Sequence, residues 1–494
     1  VGRFDDFFAR GGDSIKALEV INRLRSQGLS CALKDFFSAP LLKDMASVLT
    51  PWRVSLDDQQ ALRGDVALLP VQNWFLRSRD HETARHFHIV AELEISNSVA
   101  LDILKASLEA LMQSHDSLRA RFYLREGGWA QDIEETLSID KVLIPFQRQG
   151  AISTTIERAA IEALACSAFT LETGPLFRCV LVQGPEGENE SLVIALHHLI
   201  ADWVSLRILI ADLNALALAM LKDASNTALL PPAPPHLLRQ IADRRATLLS
   251  CALPNHTNEQ MLAEYRKSVA TMDALGVDCG VHSELNTLHL QVPSADLLRL
   301  RDSLRRRSAA ESKDFNLQDL LLAIALRELH ELLPADEIPL LIESHGRDET
   351  LDLTRQVAWL TQARLFNLDS RNFKGKHALL AAHRLLQRDA SAQADVFACV
   401  VAEPGARDAL PALISFNYLG EFSNSQNSND LFSLTNRVFD KAMAETSPVD
   451  VPLHIEFYIV DSALEIQVAW SPRMFESETM RACWERVRHE IARF

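Results

Sequence analysis

The chain has 494 residues, 48% of them apolar and 23% charged, with a formal net charge of −16. Those values are those of a water-soluble globular protein of two or three domains, and the negative charge argues against a nucleic-acid surface or an anionic membrane as partner. Seven scattered cysteines without a Cys-x-x-Cys pair, and no glycine-rich phosphate loop, point to reduced thiols in a cytoplasmic protein and to no metal site. No run of about 18 apolar residues predicts a membrane span. Val1-Gly-Arg-Phe-Asp-Asp6 lacks the basic start and apolar core of a signal peptide. A monomer is expected.

The chain opens on Phe4-Asp-Asp-Phe-Phe-Ala-Arg-Gly-Gly-Asp-Ser-Ile-Lys-Ala-Leu18. Gly11-Gly12 forces a turn, after which Asp13 or Ser14 can cap a helix running to about Ser26, with Gly28 near its end. Ile15, Leu18, Ile21 and Leu24 fall at helical spacing and form its inner face. A second short helix is expected around Leu41 to Leu49, after Pro40. Ser14 is thereby set on the surface at a helix N-terminus, where a phosphate is electrostatically favoured. Capping alone would also explain Gly-Gly-Asp-Ser.

The same stretch resembles the peptidyl carrier domain of nonribosomal peptide synthetases, whose motif reads Gly-Gly-Asp/His-Ser-Ile/Leu. The resemblance implies a small all-α carrier over residues 1–50, a partial four-helix bundle whose first helix is missing from this sequence. It also implies 4′-phosphopantetheine attached covalently to Ser14. The Asp-Ser-Ile form is the one that precedes an epimerization domain.

Residues 51–65 have no sustained period and read as a linker. Pro70-Val-Gln-Asn-Trp-Phe75 begins a new domain with proline at a helix start and aromatics to bury. A strand at 91–95, an amphipathic helix at 99–112, a strand after residue 119, a helix at 156–168 and a strand ending at 182 follow. Asp116, Arg119 and Arg121 read as a structural charge cluster. A polar hairpin loop, 184–189, then feeds the stretch Ser191 to Leu213. Its apolar start is a buried strand, followed by His197-His198, Asp202 and a helical apolar pattern. If the strand persists, His198 shares a face with Leu196 and Ile194, and His197 faces the other way. Two histidines at a strand end suit acid/base chemistry or a satisfied core, and the stretch alone leaves both open.

Alternating strands and helices to about residue 221 predict an α/β lobe. The motifs resemble the epimerization domains of the condensation superfamily, whose chloramphenicol-acetyltransferase-like fold has two α/β lobes in a V with a tunnel ending at the paired histidines. His197, His198, Asp202 and Ser205 match His-His-x-x-x-Asp-Gly-x-Ser-Trp, while Trp203 replaces the glycine and Leu206 the tryptophan. The resemblance implies that His198 is an acid/base, that His197 is supporting, and that Asp202 is structural, salt-bridged to Arg347.

Leu230-Pro-Pro-Ala-Pro-Pro235 marks a crossing between lobes at 66–230 and 231–494, or a loop before a helix at 237–249. A strand at 286–292 leads to a basic helix, 295–307, capped by Ser294. Its arginines form a solvated face or a carrier-docking patch. A helix at 315–333 follows. Pro339-Leu-Leu-Ile-Glu-Ser-His-Gly-Arg-Asp348 then ends a buried strand on Glu343, a costly place for a carboxylate unless it is paired or used. The segment resembles Glu-Gly-His-Gly-Arg-Glu, which epimerization domains have and condensation domains lack, and implies Glu343 as the second acid/base. Gln356-Val-Ala-Trp-Leu-Thr361 and Phe416-Asn-Tyr-Leu-Gly420 match further motifs, and imply that Asn417 and Tyr418 line the site. The family's Gly-x-Gly-Tyr-Gly segment has no counterpart between Ala390 and Glu403, and its early asparagine is absent near His86-Phe-His-Ile89. A hairpin, 453–460 and 464–470, and a helix, 476–491, close the chain.

The resemblance implies a carrier–epimerization didomain of a secondary-metabolism (antibiotic-type) assembly line. It would convert an L-aminoacyl or L-peptidyl thioester held at Ser14 to the D-epimer, with an adenylation domain upstream and a condensation domain downstream. His198 and Glu343 would act from opposite faces of Cα, and Asn417, Tyr418 or His197 would stabilise the carbonyl oxygen. Two alternatives stand beside it. One is a condensation or acyl-transfer domain. The other is a degenerate epimerization domain serving as a docking platform, a reading that Trp203 and the missing segments keep open.

Overall fold

The computed structural model describes residues 2–7, 12, 14–32, 35, 38–51, 62–96, 99–150, 155–222, 238, 241, 256–313, 315–347, 353–387, 395–402, 409–422, 430–435, 439 and 443–493. The first helix, α1 (Ser14–Ser26), has the predicted bounds. Ala17, Leu18 and Ile21 on its inner side are buried. A Cβ on Gly12 would run into the Phe7 ring, which would have to move. A two-residue strand pair, β1 (Leu29–Ser30) with β2 (Thr50–Pro51), ties the end of α1 to the end of α2 (Leu42–Val48).

The N-terminal lobe starts with the small strand β3 (Gly64–Val66) and α3 (Pro70–Ser78), with Pro70 at the helix start as its fixed φ favours. Next come β4 (His88–Ile95), α4 (Leu101–Ser114), β5 (Ala120–Arg125), β6 (Gly128–Ile133), β7 (Leu143–Gln147), α5 (Thr155–Ala165), β8 (Phe177–Gln183) and β9 (Asn189–His197). β4, β9, β8 and β7 lie side by side, with β7 and β8 parallel and the other pairs antiparallel. β3, β6 and β5 form a separate small sheet. Leu192 to Leu196 are buried without a break, because β9 is central and covered on both faces. The charge cluster read from the sequence divides in two: Arg119 donates to Asp116 at 2.7 Å, while Arg121 donates to Asp132 at 3.1 Å on the neighbouring strand.

The helix after the histidines is α6 (Trp203–Lys222). With 20 residues and a mean hydropathy of 1.8 over an 18-residue window, it is long and apolar enough to cross a bilayer by length and composition. Polar residues interrupt its apolar run without lowering the average, so a search for an unbroken run passes over it. In the fold it packs in the N-terminal core, and Ser205, Asp212 and Asn214 within it bond to other parts of the protein.

The C-terminal lobe adds α7 (His256–Ala274), β10 (Asn286–Val292), α8 (Ser294–Glu311), α9 (Leu317–Leu329), β11 (Glu337–Ser344), β12 (Gln362–Asp369), α10 (Ala378–Leu386) and α11 (Val396–Ala402). β13 (Ile414–Phe422), β14 (Phe432–Leu434), β15 (Leu453–Val460), β16 (Ala463–Trp470) and α12 (Ser477–Arg493) complete it. Its sheet runs β10-β16-β15-β13-β11-β12, with β11, β13 and β15 parallel. One face, with Leu340, Ile342, Ile414, Phe416, Ile455 and Phe457, is packed in this lobe's own core. On the other face Leu341 joins the N-terminal core. That face looks toward the first lobe.

Among the described residues, α11 and β14 are elements that cross between the lobes. α11 packs on α3, with the Trp74 and Phe397 rings 4.9 Å apart, and β14 pairs antiparallel with β4 and extends the N-terminal sheet. Ser294 is the first residue of α8 rather than its cap, which is Pro293, and the helix runs on to Glu311. The proline-rich lobe boundary, most of the expected helix at 237–249, and much of the interval 390–403 lie outside the described residues. So does Asp348.

Candidate functional site

β9 ends at His197, so strict alternation stops one residue before His198, which opens a 3-10 turn, His198–Ile200. His197 is fully buried. Its Nε2–H donates to the Ala84 carbonyl at 2.7 Å, and its Nδ1 accepts from the Leu199 N–H at 3.1 Å. Both nitrogens are used, so His197 has no N–H to offer a substrate oxygen, and its role is to shape the turn. Burial pushes its pKa down to about 3. Gln72 on α3 donates to the Leu199 carbonyl at 2.8 Å and holds the same turn.

His198 sits between two aromatic rings, Phe87 at 4.4 Å and Trp359 at 4.5 Å between centroids. Its backbone N–H is fixed to the Phe87 carbonyl at 2.7 Å. Its Nδ1 is buried with no hydrogen-bond partner among the described residues. Burial lowers its pKa to about 4 against the opposing pull of Asp202. The imidazole is therefore neutral near pH 7 and able to take up a proton.

Asp202 precedes α6 and accepts from the Ser205 N–H at 2.7 Å, which caps that helix. Its carboxylate also takes a two-pronged salt bridge from Arg347 and the Leu360 N–H at 3.1 Å. Burial works to raise this carboxyl, but the Arg347 charge and the hydrogen bonds outweigh it and hold it below the usual range. The expected Asp202–Arg347 pair is present, and it joins the lobes behind His198. Trp203 is the first residue of α6, partly buried against the N-terminal core. Its φ is not in the left-handed region, so the backbone makes no demand for glycine there.

Glu343 lies near the end of β11. Ser415 Oγ donates to its Oε1 at 3.0 Å, and Asn417 Nδ2 approaches Oε2 at 3.3 Å. Both partners sit on the adjacent strand β13, so Asn417 orients Glu343. Tyr418 is partly buried against the C-terminal core. The next strand, β15, pairs His454 with Ser415 and Glu456 with Asn417. Burial raises the Glu343 pKa, His454 opposes that, and Glu456 and Asp450 add to it. For His454, burial favours the neutral ring, but Glu456, Glu343 and Asp450 overcome it and push the pKa up to about 9.

His454, Glu456 and Asp450 were not singled out in the sequence. The signal was in β15, where His454, Glu456 and Tyr458 alternate with Leu453, Ile455 and Phe457 in a strand flanked on both sides by others. A polar row on a central strand of a two-lobed protein faces a cleft as readily as bulk water.

The carrier docks on this wall. Lys16, two residues after Ser14, pairs with Glu421 on β13, and Arg301 of α8 bonds the same carboxylate at 3.0 Å. Arg25 bonds Thr354, and Leu18 packs with the N-terminal core. Glu421 is four residues past Asn417 on the same strand, beyond a bulge between Tyr418 and Glu421. The residues at Ser14 fit a phosphodiester: the helix is 13 residues long, its first turn carries no acidic residue, and Lys16 is nearby. Among the described residues no group of His, Cys, Asp and Glu is arranged to hold a metal. A separate concavity of about 490 Å³, lined by Arg307, Leu320, Arg327 and Leu379 among others, lies on the outer helices of the C-terminal lobe and shares no residue with this site.

A family model described as "Phosphopantetheine attachment site" matches residues 5–49, and one described as "Condensation domain" matches residues 62–235. A phosphopantetheine attachment domain at residues 5–49 is thus followed by a condensation-type domain that begins at residue 62. The match at residues 5–49 carries covalent attachment of phosphopantetheine, for which Ser14 at the start of α1 is the candidate serine.

A linear gramicidin synthase polypeptide of Brevibacillus parabrevis is 26% identical over 97% of this chain and 6% of its own length. Bacitracin synthase 3 of Bacillus licheniformis is 25% identical over 98% of this chain and 8% of its own length. The chain thus spans a small part of the curated relatives it matches. Among solved structures, the epimerization domain from the third module of tyrocidine synthetase B superposes with a TM-score of 0.72 at 20% identity, over 89% of this chain and 98% of that one. The X-domain from teicoplanin biosynthesis gives 0.64 at 15%, over 88% and 95%. The condensation-superfamily fold, with its small carrier domain, is what these likenesses establish.

Proposed function

We propose that this didomain epimerizes the Cα of an L-aminoacyl or L-peptidyl thioester within a nonribosomal peptide synthetase. The observation that carries the reading is a carboxyl, Glu343, buried at the end of β11 on the face turned toward the lobe that carries His198, and held there by Ser415 and Asn417. His198 is neutral, Glu343 is shifted toward its neutral form, and both feel the charge of Glu456. Phosphopantetheine on Ser14 supplies the thioester, which acidifies the neighbouring Cα–H.

The rest falls to side chains of this chain. One of His198 and Glu343 takes the Cα proton as the C–H bond breaks. The other returns a proton to the opposite face, so the reaction consumes no co-substrate. Ser415 and Asn417 hold the Glu343 carboxyl, and the Phe87 and Trp359 rings hold His198. Burial keeps both groups near the protonation states that exchange requires. The second N–H of Asn417 is the candidate for stabilising charge on the carbonyl oxygen, because Tyr418 lies on the other face of β13, against the C-terminal core.

Amide-forming acyl transfer is the second reading, favoured by the condensation-domain match. It would use His198 and leave Glu343 without a part. Loading the phosphopantetheinylated protein with L-aminoacyl groups and following α-deuterium wash-in and product chirality separates the two. Wash-in with D-product is expected. An absence of exchange with every acyl group tried sinks the epimerase reading.

A further inference from the structure

The pairing of β11 with β12 persists beyond the end of β11. Glu343 faces Ala363 and Ser344 faces Gln362, and two residues on Gly346 lies against Leu360, where the same register places it. Gly346 has a φ of +61°, and a Cβ there would collide with the Leu360 carbonyl oxygen. That oxygen belongs to backbone held in place by the Leu360 N–H bond to Asp202. His345 is therefore kept in register between Glu343 and this contact. By alternation it shares the side of Glu343 and of Leu341, which joins the N-terminal core. Arg347 then crosses to Asp202 in the first lobe. Residues before and after thus reach the first lobe, and Glu343 and His345 face it side by side.

The His345 ring has one nitrogen committed and one open. Nδ1 accepts from the Arg347 N–H at 3.1 Å, so the proton of the neutral ring is on Nε2. Burial and the Arg347 charge push the pKa down to about 4 against the pull of Asp202, which keeps the ring neutral near pH 7. His197 has the same local bond, its Nδ1 accepting from the N–H two residues on, but its Nε2–H is spent on Ala84. The Nε2–H of His345 has no hydrogen-bond partner among the described residues, and the half-buried ring leaves it open to solvent. Leu360, which packs on Gly346, follows directly on Trp359, whose ring lies against His198.

We propose that His345 is a further catalytic residue, its Nε2–H donating to the carbonyl oxygen of the thioester. This role rests on the epimerase reading. As the Cα–H bond breaks, its electron pair moves into the Cα–C bond and charge gathers on that oxygen. The hydrogen bond holds the charge without passing a proton, and return of a proton to Cα restores the carbonyl. Side chains two apart on an extended strand start about 7 Å from each other. From such bases Glu343 can reach Cα while His345 reaches the oxygen two bonds away.

His345→Asn separates the donor from the turn. Its carboxamide oxygen takes over the bond from the Arg347 N–H, as in an Asx turn, but the side chain ends short of the Nε2 position. α-Deuterium wash-in on the phosphopantetheinylated, L-aminoacyl-loaded chain is expected to fall about 100-fold, with Tm unchanged. His345→Gln, whose amide N–H reaches the Nε2 position, is expected to recover part of the rate. Wash-in at the wild-type rate in His345→Asn overturns the proposal. A second measurement does not depend on exchange. The arm is loaded with an α-aminoisobutyryl group, which has no Cα–H, and isotope-edited infrared spectroscopy reads its labelled thioester carbonyl. A stretch at lower frequency in the wild type than in His345→Asn, with circular dichroism confirming the fold, supports the donor. The same frequency in both overturns it. If the wild type exchanges no acyl group at all, the epimerase reading has failed, and the carbonyl stretch alone decides the part of His345.

Discussion

Arg347 holds both carboxylate oxygens of Asp202, Nη1 on Oδ2 at 2.8 Å and Nη2 on Oδ1 at 2.9 Å. Both side chains are almost wholly buried, so the start of α6 in one lobe is fastened to the end of β11 in the other. Arg347→Met strands a buried carboxylate and is expected to destabilise the protein by about 3–5 kcal/mol. Arg347→Lys recovers part of the loss, because lysine keeps the charge but lacks the planar fork. Urea midpoints with an unchanged slope check both, and a midpoint unmoved in Arg347→Met contradicts the latch.

The two histidines part company under substitution. His198→Gln is expected to slow α-deuterium exchange by about 100-fold or more while barely moving Tm, as for loss of a general acid/base. His197→Leu removes the bonds to Ala84 and Leu199, and its expected signature is a lower Tm. Exchange at the wild-type rate in His198→Gln excludes it from the chemistry.

Restoring the family's glycine at Trp203 is expected to harm the protein. Trp203→Gly removes a partly buried indole from the start of α6 and frees its backbone, at a cost of about 1–3 kcal/mol. Thermal unfolding and exchange rates test this together. A faster variant with undiminished Tm would mean that the indole obstructs the site.

Glu421 is the shared carboxylate of Lys16 from the carrier and Arg301 from α8. Glu421→Gln is expected to lower exchange of the tethered substrate several-fold relative to a soluble pantetheine thioester. Raising the salt concentration should shrink the same ratio in the wild type, since partly exposed pairs are screened. Equal effects on tethered and soluble substrates would place Glu421 outside carrier docking.

His454 gives a pH signature of known sign. Its pKa rises from 6.5 unfolded to about 9 folded, so its stabilising contribution is complete below pH 6.5 and is lost as pH climbs through about 9. Thermal midpoints are expected to decline over that window, with a shallower decline in His454→Asn. Identical slopes in the two proteins would show that the ring is not charged in the folded state.

Much of this site was legible in the residues because its parts are short and local. The α1 bounds follow from Gly11-Gly12 and Gly28, and the β15–β16 hairpin follows from strict alternation over 453–470. The Asp202–Arg347 pair came from motif resemblance, since 145 positions separate the partners and no local pattern links them. Which of Asn417, Tyr418 and His197 could serve the carbonyl oxygen was not legible, and His197 shows why. Ala84 and Leu199 consume its nitrogens, and neither bond leaves a trace in the pattern around it. Glu456 and His454 escaped notice because a charged residue on an alternating strand reads as solvent-facing until the neighbouring lobe is in place. α7, β12 and α10 were likewise not read, their segments carrying no motif.

β14 has a consequence for how the chain reaches this state. Phe432–Leu434 supplies the outer neighbour of β4, whose other neighbour β9 carries the histidines. A ribosome has therefore released some 340 residues beyond β4 before that rim is covered. Until then, β4 presents an open row of amides and carbonyls on which a second nascent chain could pair. Cutting between the lobes to express the first one alone would make that transient condition permanent.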